Sequence, residues 1–261
     1  PVGWVKDSYN GTDYIGFTCA ACHTTQINFQ GIGMRIDGGP ALGDMESLLI
    51  AIEDSVKSSL ERTDPVKFSR LAKLTNNDKS ESDKKSFSLL LSKVYKDIKF
   101  YNCANQPIHP NAYQNKHKKN DNACVSDKDV LSYGYGRLDA VGRIYNRSLL
   151  HIGGKDINGN LIGSTQTISP TAPVSYPFLW DTPQHDFVQW NGLLENNFGY
   201  VGALGRNTGE VVGVFATIDI EKKGDKVKFP SSVEVRNLIR LEDHLESLWS
   251  PTWSELSFNN M

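Results

Sequence analysis

The chain has 261 residues, a mass of 29.0 kDa and 39% apolar residues, enough to bury a core in one or two domains without staples. Its formal charge of −2, from 28 basic against 30 acidic side chains, gives no footing for nucleic acid or an anionic membrane as partner. No run approaches the roughly 18 consecutive apolar residues of a transmembrane helix.

The chain opens at Pro1-Val2-Gly3-Trp4, without an initiator Met or a signal peptide, and stops at Met261 just after a helical pattern. It is therefore read as a processed or fragmentary chain. Residues 1–40 read mostly as loop around one motif, Cys19-Ala20-Ala21-Cys22-His23. Two thiols two residues apart, with His directly after the second, form the attachment signature of a c-type haem. The thiols add across the two vinyl groups of the porphyrin, and the imidazole of His23 is set as proximal ligand to the iron. A thioredoxin-like redox pair would want a strand before the motif and a regular helix after it. Instead Thr24-Thr25-Gln26 and the glycine-rich Gly31-Ile32-Gly33 follow.

After Pro40, the residues Leu42, Met45, Leu49, Ile52 and Val56 recur at helical spacing. A second helix is expected from Asp64-Pro65, an N-cap followed by Pro at the first helical position. A third is expected over about 82–99, with Phe87, Leu90, Leu91, Val94, Tyr95 and Ile98 on one side. Residues 76–128 hold ten lysines against six acids and read as a basic, solvated insertion that could also dock an acidic redox partner. Helical spacing returns over Asp127–Leu150, interrupted by Gly134, Gly136 and Gly142, each costing up to about 1 kcal/mol inside a helix. Those glycines either admit a large flat group or mark a turn before a shorter helix.

Residues 151–193 lose all period but hold Tyr176, Phe178, Trp180, Phe187 and Trp190. Such a long irregular stretch in a compact domain is functional or disordered, and its aromatic content argues for function. Gly192–Thr217 reads as short helices with a strand, Lys222–Asp225 as a polar turn, and a last helix begins at Ser231-Ser232. The fold class read from this pattern is mainly α: a loop-rich, cytochrome c-like haem domain over 1–261 with long extra loops and little β.

Cys103 and Cys124 bracket 20 residues, and a bridge closing that loop contributes about 3 kcal/mol. Covalent haem attachment and disulfides both belong to extracytoplasmic compartments, so a Cys103–Cys124 disulfide is expected. The rival readings are two inert thiols or a metal site using His109 or His117. Arg35, Arg137 and Arg143 are candidates for the haem propionates, which suit a bidentate guanidinium, with surface ion pairs as the alternative. Phe17, Phe29, Phe178 and Trp180 are candidates for the pocket wall. On the far side of the iron, the candidates are Met34, Met45, His151, His185 and His244. Met45 is better explained as core, His244 as surface, and His185 either as a distal group or as a partner of Asp181 or Asp186.

Several segments together resemble one family: Pro1–Asp7, the motif with Arg35-Ile36-Asp37-Gly38-Gly39-Pro40-Ala41-Leu42, Gly136-Arg137-Leu138-Asp139-Ala140, Ser175–Asp186 and Leu241-Glu242-Asp243-His244-Leu245. The set resembles the rubber-oxygenase-like branch of the di-haem cytochrome c peroxidase superfamily. The resemblance covers nearly the whole chain except 76–128. It implies a periplasmic or secreted oxidoreductase with two c-type haems, one for dioxygen or peroxide chemistry and one as relay. It also implies a tryptophan between the haems, for which Trp180 is the nominee and Trp190 the runner-up. Trp180 and His185 are thus the nominated catalytic side chains, with a small-molecule oxidant or substrate and a redox protein as partners. The chain departs from the family in holding a single CxxCH. A second haem c is expected on a segment C-terminal to residue 261, the other reading being a mono-haem derivative. The competing function is a non-catalytic electron-transfer cytochrome, a subunit of a larger redox assembly.

Overall fold

The computed structural model describes residues 2–9, 11–108, 130–152, 168–188, 191, 192, 194–196, 200–214, 216, 218 and 221–252. These residues are 45% helical and 19% strand, a mixed α/β content that overturns the mainly α expectation. The difference begins at the N-terminus, where two antiparallel hairpins replace the expected loop. β1 (Trp4–Tyr9) pairs with β2 (Thr12–Phe17), and β3 (Thr24–Phe29) with β4 (Ile32–Asp37). The haem-type motif lies between them, its Cys19–Ala21 stretch wound as one turn of 3-10 helix. The second hairpin turns at Gln30 and Gly31, both with positive φ, which suits a tight turn between twisted strands.

Three helices follow, as their caps dictate. The Asp44 side chain accepts from the Ser47 amide at the start of α1 (Met45–Ser58). Asp64 accepts from the amides of Val66 and Lys67 at the start of α2 (Pro65–Leu74). Ser80 accepts from Asp83 at the start of α3 (Glu81–Ala104). Each such cap satisfies an orphan donor and contributes about 1 kcal/mol. The helices share a small core of Leu60, Phe68, Ala72, Phe87 and Leu91.

The helix expected over 127–150 is shorter than its period implied. Gly134 and Gly136 adopt positive φ, Arg137–Leu138 form strand β5, and α4 runs from Ala140 to Ile152. β5 pairs with β6 (Val174–Ser175), and β7 (Phe187–Val188) with β8 (Leu194–Glu195). α5 (Tyr200–Val214) is one continuous helix where short pieces were expected, and it packs on α4. β9 (Glu221–Lys223) and β10 (Lys226–Lys228) form a hairpin around the expected polar turn, and α6 (Val235–Leu245) packs against α5.

The main core lies beneath the motif and joins Ala41, Met45, Leu49, Tyr101, Tyr133, Leu138 and Tyr176, with Cys22 packed against it. Residues 76–108 therefore do more than form a solvated insertion, since α3 supplies Tyr101 to this core. Cys103 is buried and disulfide-bonded. Its expected partner Cys124, with His109 and His117, lies outside the described residues, as do Trp190 and the side chain of His151.

α5 and α6 are joined through charge. Glu242 is 3% exposed and accepts from Arg206 Nη2 at 2.8 Å and 2.9 Å, and also from the Asn207 amide. Removing one partner of a buried pair leaves the other charge uncompensated. Glu242→Gln is expected to cost on the order of 3 to 5 kcal/mol, read by urea unfolding. A cost under about 1 kcal/mol, typical of an exposed pair, would contradict this placement.

Candidate haem-attachment site

The 3-10 turn at Cys19 is closed by its own carbonyl, which accepts from the amides of Cys22 at 3.2 Å and His23 at 2.9 Å. The turn thereby brings the two thiols and the imidazole into one short structural unit. Cys19 and Cys22 are both free thiols. Burial, then the charges of Glu210 and Cys19, pushes the Cys22 thiol up to about 11. The Cys19 thiol is also raised, mainly by the protein packed around it.

His23 is held across a sequence separation of 154 residues. Its Nδ1 donates to the carbonyl of Pro177 at 2.8 Å. This assigns the proton to Nδ1, because a carbonyl oxygen only accepts. Nε2 is left with its lone pair, the form in which a neutral imidazole binds a metal. Burial lowers the His23 pKa below its usual 6.5, against the opposing effect of the Pro177 bond, and so favours the same neutral form.

The segment carrying Pro177 is itself strapped to the motif. The Gly38 amide donates to the His23 carbonyl at 2.9 Å, and the Leu179 amide donates to the Gly38 carbonyl at 2.9 Å. Trp180 Nε1 donates to the Asp37 carbonyl at 2.8 Å. Gly38 has φ +76, and a Cβ there would lie 2.7 Å from Trp180 Nε1, so only glycine lets the strap close. Upstream, the Tyr176 amide donates to the Gly136 carbonyl and its hydroxyl to the Gly43 carbonyl.

Phe178 stacks on Trp180 with centroids 5.6 Å apart and meets His185 edge-on at 6.5 Å. His185 Nε2 lies 3.3 Å from Asp181 Oδ1, so the acid beside it is its partner. Of the nominated arginines, Arg35 and Arg137 stand at exposed strand positions. Arg143 is 4% exposed, its guanidinium lies 6.0 Å from the Tyr101 ring centre, and its Nε has no partner. Met45 is core, Met34 is half-buried on β4, and His244 is exposed. Phe17 packs edge-on against Trp4, while Phe29 is exposed near the tip of the second hairpin.

These residues fit a c-type haem. The two thiols are free, Nε2 of His23 is available, and Arg143 Nε is an orphaned buried donor suited to a carboxylate. Sequence reasoning missed the Pro177 carbonyl, a backbone group with no side-chain signal. It also missed Arg206, Asn207, Glu210 and the burial of Glu242. Among the described residues no cluster of three His, Cys, Asp or Glu side chains could hold a bare metal ion.

No family model matches the chain, and no solved structure matches it. The uncharacterized protein y4iJ of Sinorhizobium fredii (strain NBRC 101917 / NGR234) is 29% identical over 231 residues. That alignment takes in 88% of this chain and 33% of the relative, so the chain spans about a third of the length of the curated relative it matches.

The lowered His23 pKa has a signed consequence for the apoprotein. The unfolded chain binds a proton near 6.5 that the folded chain resists, so stability is intact above that pH and declines as pH falls toward the folded-state value. His23→Gln retains an amide donor for the Pro177 carbonyl without a titrating group. It is expected to lose less stability than the parent between pH 7.5 and pH 5 in urea unfolding. Equal losses would contradict a half-buried, neutral His23.

Proposed function

We propose that this chain is an extracytoplasmic c-type haem oxidoreductase, periplasmic or secreted, resembling the di-haem peroxidases and rubber oxygenases. Cys19 and Cys22 would carry haem c, and His23 Nε2 would bind its iron. The observation that carries this reading is the bond from His23 Nδ1 to the Pro177 carbonyl. A metal-bound His characteristically donates its other ring N–H to a carbonyl or carboxylate, which fixes the ring and raises the basicity of the ligating nitrogen. An unligated surface His would need no such restraint from a distant segment.

When bound, haem iron supplies one-electron chemistry and the activation of dioxygen or peroxide. The chain's own residues do the rest. Cys22 and the aromatic core behind it hold one edge of the site away from water. Arg143, whose Nε is without a hydrogen-bond partner, would pair with a carboxylate of the haem. Trp180, fixed by its bond to the Asp37 carbonyl and its stack on Phe178, would serve as the electronic contact to a second redox centre. In this proposal that centre is a second haem c. The partners proposed are a redox protein and a small-molecule oxidant or substrate.

Among the described residues no helix is long and apolar enough to cross a membrane. The exposure of His185 and its pairing with Asp181 favour an accessory role over iron ligation.

The test is the ferric electron paramagnetic resonance spectrum of the protein matured with haem c. A high-spin signal that shifts when azide or cyanide is added is expected, meaning an iron open to small ligands. A wholly low-spin signal, indifferent to both anions, would overturn the oxidant-using reading in favour of an electron carrier.

A further inference from the structure

We propose that Tyr135 is the surface point at which electrons enter the site one at a time, taken from an aromatic donor too large to reach the iron itself. This inference rests on the haem reading above.

Two hydrogen bonds join Tyr135 to the imidazole of His23. The carbonyl of its neighbour Gly136 accepts from the Tyr176 amide at 3.1 Å. The carbonyl of the next residue, Pro177, accepts from His23 Nδ1 at 2.8 Å. The path from Tyr135 to His23 thus runs through Gly136, Tyr176 and Pro177 with no break wider than a hydrogen bond. Gly43 holds both sides of this path together. Its carbonyl accepts from the Gly136 amide at 3.0 Å and from the Tyr176 hydroxyl at 3.2 Å. Bonded links of this kind carry an electron farther than an open gap of equal length.

The phenolic proton decides which tyrosine can use such a path. A phenol that loses an electron becomes a strong acid and must shed its proton. A backbone carbonyl accepts a hydrogen bond without taking the proton away. The three core tyrosines are all bound in that way, Tyr101 to Gly213, Tyr133 to Pro170 and Tyr176 to Gly43. Tyr135 is 78% exposed, so water can take its proton. Tyr145 is exposed as well, on α4, but it lies outside the path.

In the step, Tyr135 gives up one electron toward the site and one proton to water, leaving a neutral phenoxyl radical. The oxidant is a peroxide, which takes two electrons and two protons as its O–O bond breaks, giving water and an alcohol or a second water. The radical regains an electron from the donor and a proton from water, which restores the phenol. Two such turns supply both electrons, and two donor molecules are each oxidised by one electron.

The experiment mixes the haem-loaded protein with hydrogen peroxide, freezes it and reads the electron paramagnetic resonance spectrum. A narrow radical signal is expected that changes shape when ring-deuterated tyrosine is incorporated. It is expected to vanish in Tyr135→Phe and to persist in Tyr145→Phe. Oxidation of a phenol tethered to a soluble polymer is expected to fall several-fold in Tyr135→Phe. A signal kept in Tyr135→Phe, or lost equally in Tyr145→Phe, would overturn the assignment.

A second readout needs no haem. The apoprotein is treated with tetranitromethane and its nitrated tyrosines are mapped by mass analysis. Tyr135 is expected to react ahead of Tyr101, Tyr133 and Tyr176, and a spared Tyr135 would contradict its placement in water. Nitration of Tyr135 in a chain that takes up no haem, or whose haem does not react with peroxide, would overturn the reading above and the electron entry with it. A haem-loaded chain that consumes peroxide without the Tyr135 signal would overturn this inference alone.

Discussion

A single imidazole nitrogen organises this molecule. His23 follows a pair of cysteines in a short turn, and such a side chain would ordinarily rotate freely at a loop. Its Nδ1 is instead bound by the Pro177 carbonyl, and the segment from Tyr176 to Trp180 is laced to residues 37–43 by backbone and side-chain bonds. None of these bonds is strong alone, each contributing about 1 kcal/mol net. Together they remove the freedom of the ring and decide which nitrogen keeps its lone pair. The preference for the neutral imidazole follows from its burial, so tautomer and charge state agree.

The surroundings of this ring divide into an aromatic side and a charged side. On the aromatic side Tyr101, Tyr133 and Tyr176 pack with Cys22, and burial, then the Cys22 charge, pushes the Tyr176 hydroxyl up to about 12. Arg143 is enclosed there with one donor unmatched, an arrangement that costs free energy unless an acceptor arrives. On the charged side Arg206, Asn207 and Glu242 close the gap between α5 and α6. A buried ion pair is weak evidence for stability, because desolvation offsets much of its attraction. Its role here is to tie α5 to α6.

How much of this was legible in the sequence depends on which physical signal each element carries. α1, α2 and α3 announce themselves through apolar residues at three- and four-residue steps and through Asp44, Asp64 and Ser80 at their caps. The β3–β4 hairpin also carries a signal, since Ile27, Phe29, Ile32, Met34 and Ile36 alternate with polar neighbours. That alternation is easily passed over, because this apolar face is half exposed at Ile27, Phe29 and Ile32, so burial does not enforce it. The helix expected from 127 is shortened because Gly134 and Gly136 take positive φ, a backbone fact invisible to periodicity. Glu242 occupies the position one turn after Leu238 that faces the core, and only knowledge of Arg206 opposite reveals why a carboxylate is tolerated there. At the site, the spacing of Cys19, Cys22 and His23 was readable because the chemistry demands it locally. Pro177 was not, because the group that matters is a carbonyl brought from far along the chain.

The most direct test of the account is mass analysis of the peptide spanning Cys19 to His23, from protein produced in a periplasm equipped for covalent haem attachment. The account requires that peptide to carry one haem through two thioether bonds, with the addition lost when either Cys19 or Cys22 is replaced by Ser. Recovery of the peptide with two unmodified or mutually oxidised cysteines, from folded protein under those conditions, would contradict it.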